Sequence, residues 1–214
     1  FLMGKPTDVF ATKMSFLPIF LRNLLAGLIA NINNGSNKMY GLQKPNHKFG
    51  ATHPTINSEL LYKIRHGKIK PKVEIERFDG KKVFFKDKSI EEFDVIIACT
   101  GFVLAHPFFH ENFLNYREGP VPLYLKMFHP EYDNLYFIGM FQPLGCIWPG
   151  AEQQSKLLTL ALKGVWKRPA NIGVLCEREI THPHMKQINT NRHRITVDFH
   201  RFMNDLKLEI KKVG

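Results

Sequence analysis

The chain has 214 residues, 44% hydrophobic and 23% charged, which is ordinary globular composition with enough length for one large domain or two small ones. Thirty Lys and Arg against nineteen Asp and Glu leave a net charge of +11, a surface that attracts polyanions, acidic membranes or phosphorylated cofactors. Three scattered cysteines, Cys99, Cys146 and Cys176, exclude a disulfide-stapled scaffold and a CxxC zinc site, and no Arg/Lys run is interleaved with aromatics as a nucleic-acid stacking platform requires.

The first predicted element covers residues 16–32, where Leu17, Phe20, Leu21, Leu24, Leu25, Leu28 and Ile32 recur at helical spacing. Arg22 and Asn23 interrupt the run, and it falls short of the ~20 apolar residues of a membrane span. The expectation is an amphipathic helix packed on a core, with shallow membrane association as the alternative. Turn-forming residues from Asn31 to Ser36 end it. Asn57 then caps a short helix over 58–66, with Gly67 past its end. Asp79-Gly80 signals a hairpin between the apolar positions Val73, Ile75 and Phe78 and a returning strand, Lys81–Phe85. A second turn occupies Lys86–Ser89.

Val95-Ile-Ile-Ala-Cys99 is continuously apolar, the pattern of a strand buried on both faces of an α/β sheet. Thr100-Gly101 ends it. Further strands are predicted at Leu123–Phe128 and Leu135–Ile138, the latter ending at Gly139. A turn, Gln142-Pro143-Leu144-Gly145, leads past Pro149 into a helix over 151–166 that carries Leu157, Leu158, Ala161, Leu162 and Val165 on one side. From Pro169 the chain reads as short helical pieces with a basic end.

Two places have the arrangement of a ligand site. In open α/β sheets, ligands lie beyond the carboxyl ends of strands, and Thr100-Gly101 is such an end, where ordinary turn chemistry is the competing reading. At Gln142–Gly145, prolines fix the backbone, glycines open it, and the following helix start offers N–H groups and partial positive charge. That suits a phosphate or an electron-rich ring edge. The ten histidines read as surface residues without zinc spacing, Cys99 as a small core residue, and Glu152 as a residue favoured by its helix dipole. Trp148 reads equally as packing or as the lining of a substrate channel. No metal site is expected.

Several motifs in order resemble the C-terminal half of flavin-containing monooxygenases: Thr52–Leu60, Ile64–Ile69, Glu92–Phe102, Gly119–Tyr124, Asn134–Gly139 and Gln142–Gly145 before a proline and Glu152. The resemblance runs from Gly4–Asp8 to about residue 200. It implies an α/β fold holding the C-terminal parts of two interleaved Rossmann-like dinucleotide-binding domains, both incomplete. Residues 1–101 would finish the NADPH domain, with a helical insertion, and residues 102–214 would return to the FAD domain. Thr100 and Gly101 match the crossover between domains, Gln142, Pro143, Leu144 and Gly145 would lie along the flavin, and Asn57 and Ser58 would approach NADPH.

The implied reaction uses NADPH to reduce FAD, forms a flavin C4a-hydroperoxide with dioxygen, and passes one oxygen to a small nitrogen or sulfur nucleophile. The protein's part is cofactor placement and exclusion of water. The implied setting is cytoplasmic, with peripheral membrane contact as a variant and no nucleic-acid partner. This sequence contains no GxGxxG, although the family has two. The chain opens at Phe1 and reads as a fragment, expected to be inactive alone. Cys99 and Phe102 replace a more usual alanine and tyrosine at the crossover, Lys86–Ser89 replaces an Asp-Gly turn, and Gln153 and Ser155 replace leucine and alanine. A Baeyer–Villiger monooxygenase of the same architecture and a truncated, non-catalytic basic interaction protein are the alternatives.

Overall fold

In the computed structural model of the chain, which describes residues 14, 16–53, 57, 59–185, 187–188 and 190–213, helix α1 runs over Ile19–Asn34. Pro18 holds φ at −54° at its entrance, and the Gly35 N–H returns to the Asn31 carbonyl at its exit. The predicted helix therefore forms, but its apolar side does not pack on a core. Phe20 and Ile32 are 71% and 79% exposed, and Leu24 and Leu28 lie exposed between them at four-residue spacing. Among the described residues no helix is long and apolar enough to cross a membrane.

Helix α2, Leu60–Arg65, is shorter than the expected 58–66. Its start is held by Asn57, whose Oδ1 accepts the N–H groups of Glu59 and Leu60 at 2.8 and 2.7 Å. The cap reading of Asn57 stands on that geometry.

Strands β1 (Ile75–Asp79), β2 (Lys82–Phe85) and β3 (Ile90–Glu92) form an antiparallel sheet in the order β1-β2-β3. Gly80, at φ 58°, makes the first turn and sets Asp79 opposite Lys82. Period-2 alternation then buries Val83 and Phe85. The Arg77 guanidinium sits 3.5 Å from the Phe84 ring centroid. The second turn places Lys88 at φ 68°, a conformation that costs any residue with a Cβ. Asp87 supports it by accepting the Ser89 N–H and hydroxyl at 2.9 and 2.6 Å.

The expected buried strand at Val95–Cys99 does not form in this chain by itself. These residues pair with nothing as a ladder, and Val95, Ile96 and Ile97 are 74%, 52% and 79% exposed. A continuously apolar strand needs neighbours on both edges and cover on both faces. The only sheet among the described residues is the small antiparallel one, which supplies neither. Cys99 is exposed as well, so it is not a core residue. This part of the chain belongs to one compact unit, Phe1–Thr100, and the rest to a second, Gly101–Gly214.

In the second unit, Leu123–Phe128 is not a strand but a buried tight turn. The Phe128 and Met127 N–H groups both donate to the Tyr124 carbonyl, at 3.0 and 3.1 Å. Leu125 and Lys126 have φ of 52° and 54°. Leu135–Ile138 likewise reduces to a single bridge between Phe128 and Tyr136. Leu125, Met127 and Phe128 pack with the helical residues Leu157, Cys176 and Leu206, and Leu123 and Phe137 with the loop residues Leu114, Tyr116, Val121 and Met140; neither kind of cover requires a strand. Helix α3 spans Trp148–Leu162 with Pro149 in its first turn, starting earlier than the expected 151. Leu157 is fully buried on it, whereas Leu162 and Val165 are exposed. Helices α4 (Ile172–Thr181) and α5 (Phe199–Lys211) complete the unit, and the Asp198 carboxylate caps α5 by accepting the Arg201 N–H at 3.0 Å.

The core gathers where α3 meets α5. Phe128 stacks on Trp166 at 4.7 Å, Phe141 meets Phe202 at 4.6 Å, and Leu157 and Leu206 are wholly enclosed. A second cluster joins Leu114, Tyr116, Val121, Leu123, Phe137 and Met140. Helices plus a small sheet are compatible with an α/β class. Among the described residues no parallel sheet forms beyond the isolated Gln142–Thr196 bridge.

Candidate functional site

The segment from Gly139 to Gly150 is held from three sides. Gly139, at φ 77°, donates its N–H to Gln154 Oε1 at 2.8 Å, while Gln154 Nε2 donates to the Leu125 carbonyl at 3.0 Å. One wholly buried side chain on α3 thus ties the segment to the strained turn at Leu125. Gln142 is fixed next, its N–H donating to Ile195 at 2.8 Å and its carbonyl accepting from Val197 at 3.1 Å. Finally, Gly150 brings α3 down onto Phe141, because a Cβ there would overlap the ring, with Cε2 at 2.8 Å.

These restraints leave an open edge. Pro143 is buried, but Leu144 and Gly145 are exposed, as are Cys146 and Trp148 at the start of α3. Gly145, at φ 120°, has open space where a Cβ would stand. The Glu152 carboxylate, one turn into the helix, is engaged by Lys156 at 2.7 Å, and that hydrogen bond holds it below the usual carboxylate range. The structure therefore brings Gln142, Pro143, Leu144 and Gly145 together as one loop, pinned at Gln142 and free at Gly145.

The remaining predicted residues stand elsewhere. Thr100 ends the first unit and Gly101 begins the second. Both are exposed, and Gly101, at φ 91°, has nothing within 4 Å of a notional Cβ. Asn57 spends its side-chain oxygen on the α2 cap. Ser58 and the Gly4–Asp8 motif lie outside the described residues.

Sequence reasoning missed the buried polar groups that shape the second unit. Gln154 falls on the same helical stripe as Leu157, Leu158 and Ala161, and a lone polar residue on an apolar stripe is the signal that could have marked it. Glu179 accepts the Leu125 N–H at 2.6 Å and faces Lys126 at 3.4 Å. Its burial pushes its carboxyl up, against the pull of Lys126. Glu209 joins Tyr124 and Trp166, accepting from the phenol at 2.9 Å and the indole N–H at 3.0 Å. His129 is buried too, contrary to the surface reading of the histidines, and its Nδ1 accepts the N–H groups of Glu131 and Tyr132. Among the described residues no cluster of His, Cys, Asp or Glu converges as metal ligands would.

The loop is open on one side, at Leu144 and Gly145. It does not enclose a flavin, and no glycine-rich loop in this sequence grips a pyrophosphate. These residues alone do not fit a complete cofactor site.

A model of the flavin-binding monooxygenase-like family matches residues 3–213. Flavin-containing monooxygenase 5 of Rattus norvegicus is 35% identical over 174 residues, which is 79% of this chain and 32% of the relative. The N-oxide-forming dimethylaniline monooxygenase 2 of Oryctolagus cuniculus is 34% identical over 178 residues, covering 78% and 32% respectively. Flavin-containing monooxygenase 5 of Homo sapiens is 31% identical over 216 residues, covering 95% and 40%. The chain spans between 32% and 40% of the length of these relatives. With its whole described length matched by one family, the chain belongs to the flavin-binding monooxygenase-like family.

Proposed function

We propose that this chain is the C-terminal part of an FAD- and NADPH-dependent monooxygenase that places one atom of dioxygen on a small nitrogen or sulfur nucleophile. The observation that carries the reading is the family match over residues 3–213. The open Leu144–Gly145 edge ahead of α3 supports it. On this reading Gln142–Gly145 form one wall of the flavin site. Gln142 and Gln154 hold the wall in place, and the exposed start of α3 faces the ring. Thr100 and Gly101 are the crossover between two interleaved Rossmann-like domains, and Asn57 and Ser58 belong to the NADPH side. The exposed run Val95–Cys99 is then a strand of the nucleotide-binding sheet, whose neighbours lie in the remaining length of the enzyme. The chain's own contribution is to position the flavin edge and exclude water from it.

One relative is named for N-oxide formation from dimethylaniline, which favours heteroatom oxygenation over attack on a carbonyl carbon. The reading predicts that the 214-residue chain, titrated with FAD, neither quenches flavin fluorescence nor oxidises NADPH. Joined to the unmatched length of the Rattus norvegicus relative, it should purify yellow, consume NADPH with dioxygen and convert dimethylaniline to its N-oxide. A folded but colourless chimera would refute the flavin-wall assignment. A yellow, NADPH-oxidising isolated chain would refute the one-wall reading.

A further inference from the structure

Among the described residues, three that are not glycine have positive φ, and two of them are consecutive: Leu125 at 52° and Lys126 at 54°. A left-handed conformation costs any residue with a Cβ, and it persists where the surroundings over-determine it. Glycine, which adopts it freely, stands at neither position. Restraints from beyond the turn must therefore hold this backbone.

Two side chains from different helices supply them, one on each side of Leu125. Leu125 would leave the left-handed region by a flip of the peptide unit joining it to Tyr124. That flip carries its N–H away from Glu179 Oε1 on α4, which accepts it at 2.6 Å. Lys126 would leave by a flip of the next peptide unit, which carries the Leu125 carbonyl away from Gln154 Nε2 on α3, its donor at 3.0 Å. The second Glu179 oxygen faces the Lys126 ammonium at 3.4 Å, so one carboxylate restrains both residues. Leu125 and Lys126 are buried, and a backbone group freed there has no bulk water to replace its partner.

The turn also lays down the segment that enters the Gln142–Gly145 loop. The Phe137 N–H donates to the Met127 carbonyl at 2.9 Å. Two residues on, the Gly139 N–H donates to the same Gln154 amide that holds Leu125. Alternate residues of the segment thus take their places from alternate residues of the turn. We infer that Glu179 is a positioning residue for this loop: its carboxylate locks the Leu125–Lys126 turn and, through Leu125 and Gln154, fixes Gly139 at the loop's entrance. That the loop borders the flavin is the reading proposed above, and only the second arm of the test rests on it.

Amide hydrogen exchange of the 214-residue chain, resolved by NMR, tests the lock with two double variants. Lys126→Met with Glu179→Gln keeps an oxygen for the Leu125 N–H, Lys126→Met with Glu179→Leu keeps none, and neither leaves a buried ammonium without its carboxylate. The Glu179→Gln pair should exchange at Gly139 as the parent chain does. The Glu179→Leu pair should exchange there at least about tenfold faster, with the Leu206 amide inside α5 unchanged. Equal exchange at Gly139 in the two pairs, or equal acceleration at Gly139 and Leu206, would overturn the lock. Should the Glu179→Leu pair not fold, Lys126→Gly in place of Lys126→Met supplies the left-handed conformation without side-chain cost and carries the same comparison. In the chimera proposed above, the Glu179→Leu pair should lose FAD on dilution that the Glu179→Gln pair retains. Equal retention would overturn the link from Glu179 to the cofactor wall. A parent chimera without FAD would instead refute the flavin-wall reading, with the lock decided by exchange alone.

Discussion

Gly150 is the residue at which packing and helix propensity make opposite predictions. Replacing a helical glycine with alanine ordinarily stabilises by up to about 1 kcal/mol. Here the added methyl would enter the Phe141 ring, which is itself clamped by Phe202 at 4.6 Å. Overpacking of this kind costs about 1–3 kcal/mol, so Gly150→Ala should lower the urea midpoint with its slope unchanged. Glu209 gives a second residue-level prediction. Burial pushes its carboxyl up, but hydrogen bonds from Lys212, Trp166 and Tyr124 outweigh burial and hold it below its ordinary value of 4.5. A depressed carboxyl contributes stability that is present above the unfolded pKa and is lost as pH falls through the folded one. Glu209→Gln should therefore cost on the order of 1–2 kcal/mol at neutral pH. The gap from the parent chain should close as the pH of thermal melts is lowered below about 4. A constant gap across that range would show that the carboxylate's charge plays no part.

At the level of elements, the turn Lys86–Ser89 shows how local chemistry was readable while pairing was not. The sequence marked this turn as lacking the usual Asp-Gly, and the structure answers with Lys88 at φ 68°. Lys88→Gly should relieve that conformation and slow hydrogen exchange at the β2 and β3 amides, a gain of about 0.5–1 kcal/mol. The lost Lys88–Glu76 pair at 3.1 Å is exposed and offsets little. The Asp79-Gly80 hairpin, the Asn57 cap, α1 and α3 were legible for the same reason: each is specified by residues within a few positions of one another. The errors lie where apolar runs were read as strands. Leu125, Met127 and Phe128 are buried by helical residues distant in sequence, and Phe137 by the loop residues Leu114, Tyr116 and Val121, and tertiary cover leaves no periodicity of its own. The loop Gln142–Gly145 was legible as an opened, proline-stiffened turn. Its anchors Gln154 and Ile195 were not, since nothing local announces a hydrogen bond across the fold.

On the scale of the whole molecule, the exposed apolar run at Val95–Ile97 distinguishes this chain by itself from the longer enzyme proposed above. Among the described residues nothing covers those side chains, so removing their apolar character should change its stability by less than about 0.5 kcal/mol. The double variant Val95→Thr, Ile97→Thr should melt with the parent chain while binding less of a dye that reports exposed apolar surface. If the run is a central strand in the full-length enzyme, the same two hydroxyls become buried there without partners. Each then costs about 1–3 kcal/mol, so the chimera carrying both should lose several degrees of melting temperature and part of its flavin. The two measurements form a pair in which context alone changes sign and size. A double variant that destabilises the isolated chain would mean the run is already packed within it. One that leaves both proteins unchanged would remove the strand from the nucleotide-binding sheet and, with it, the support that Thr100 at its end lends to the cofactor assignment.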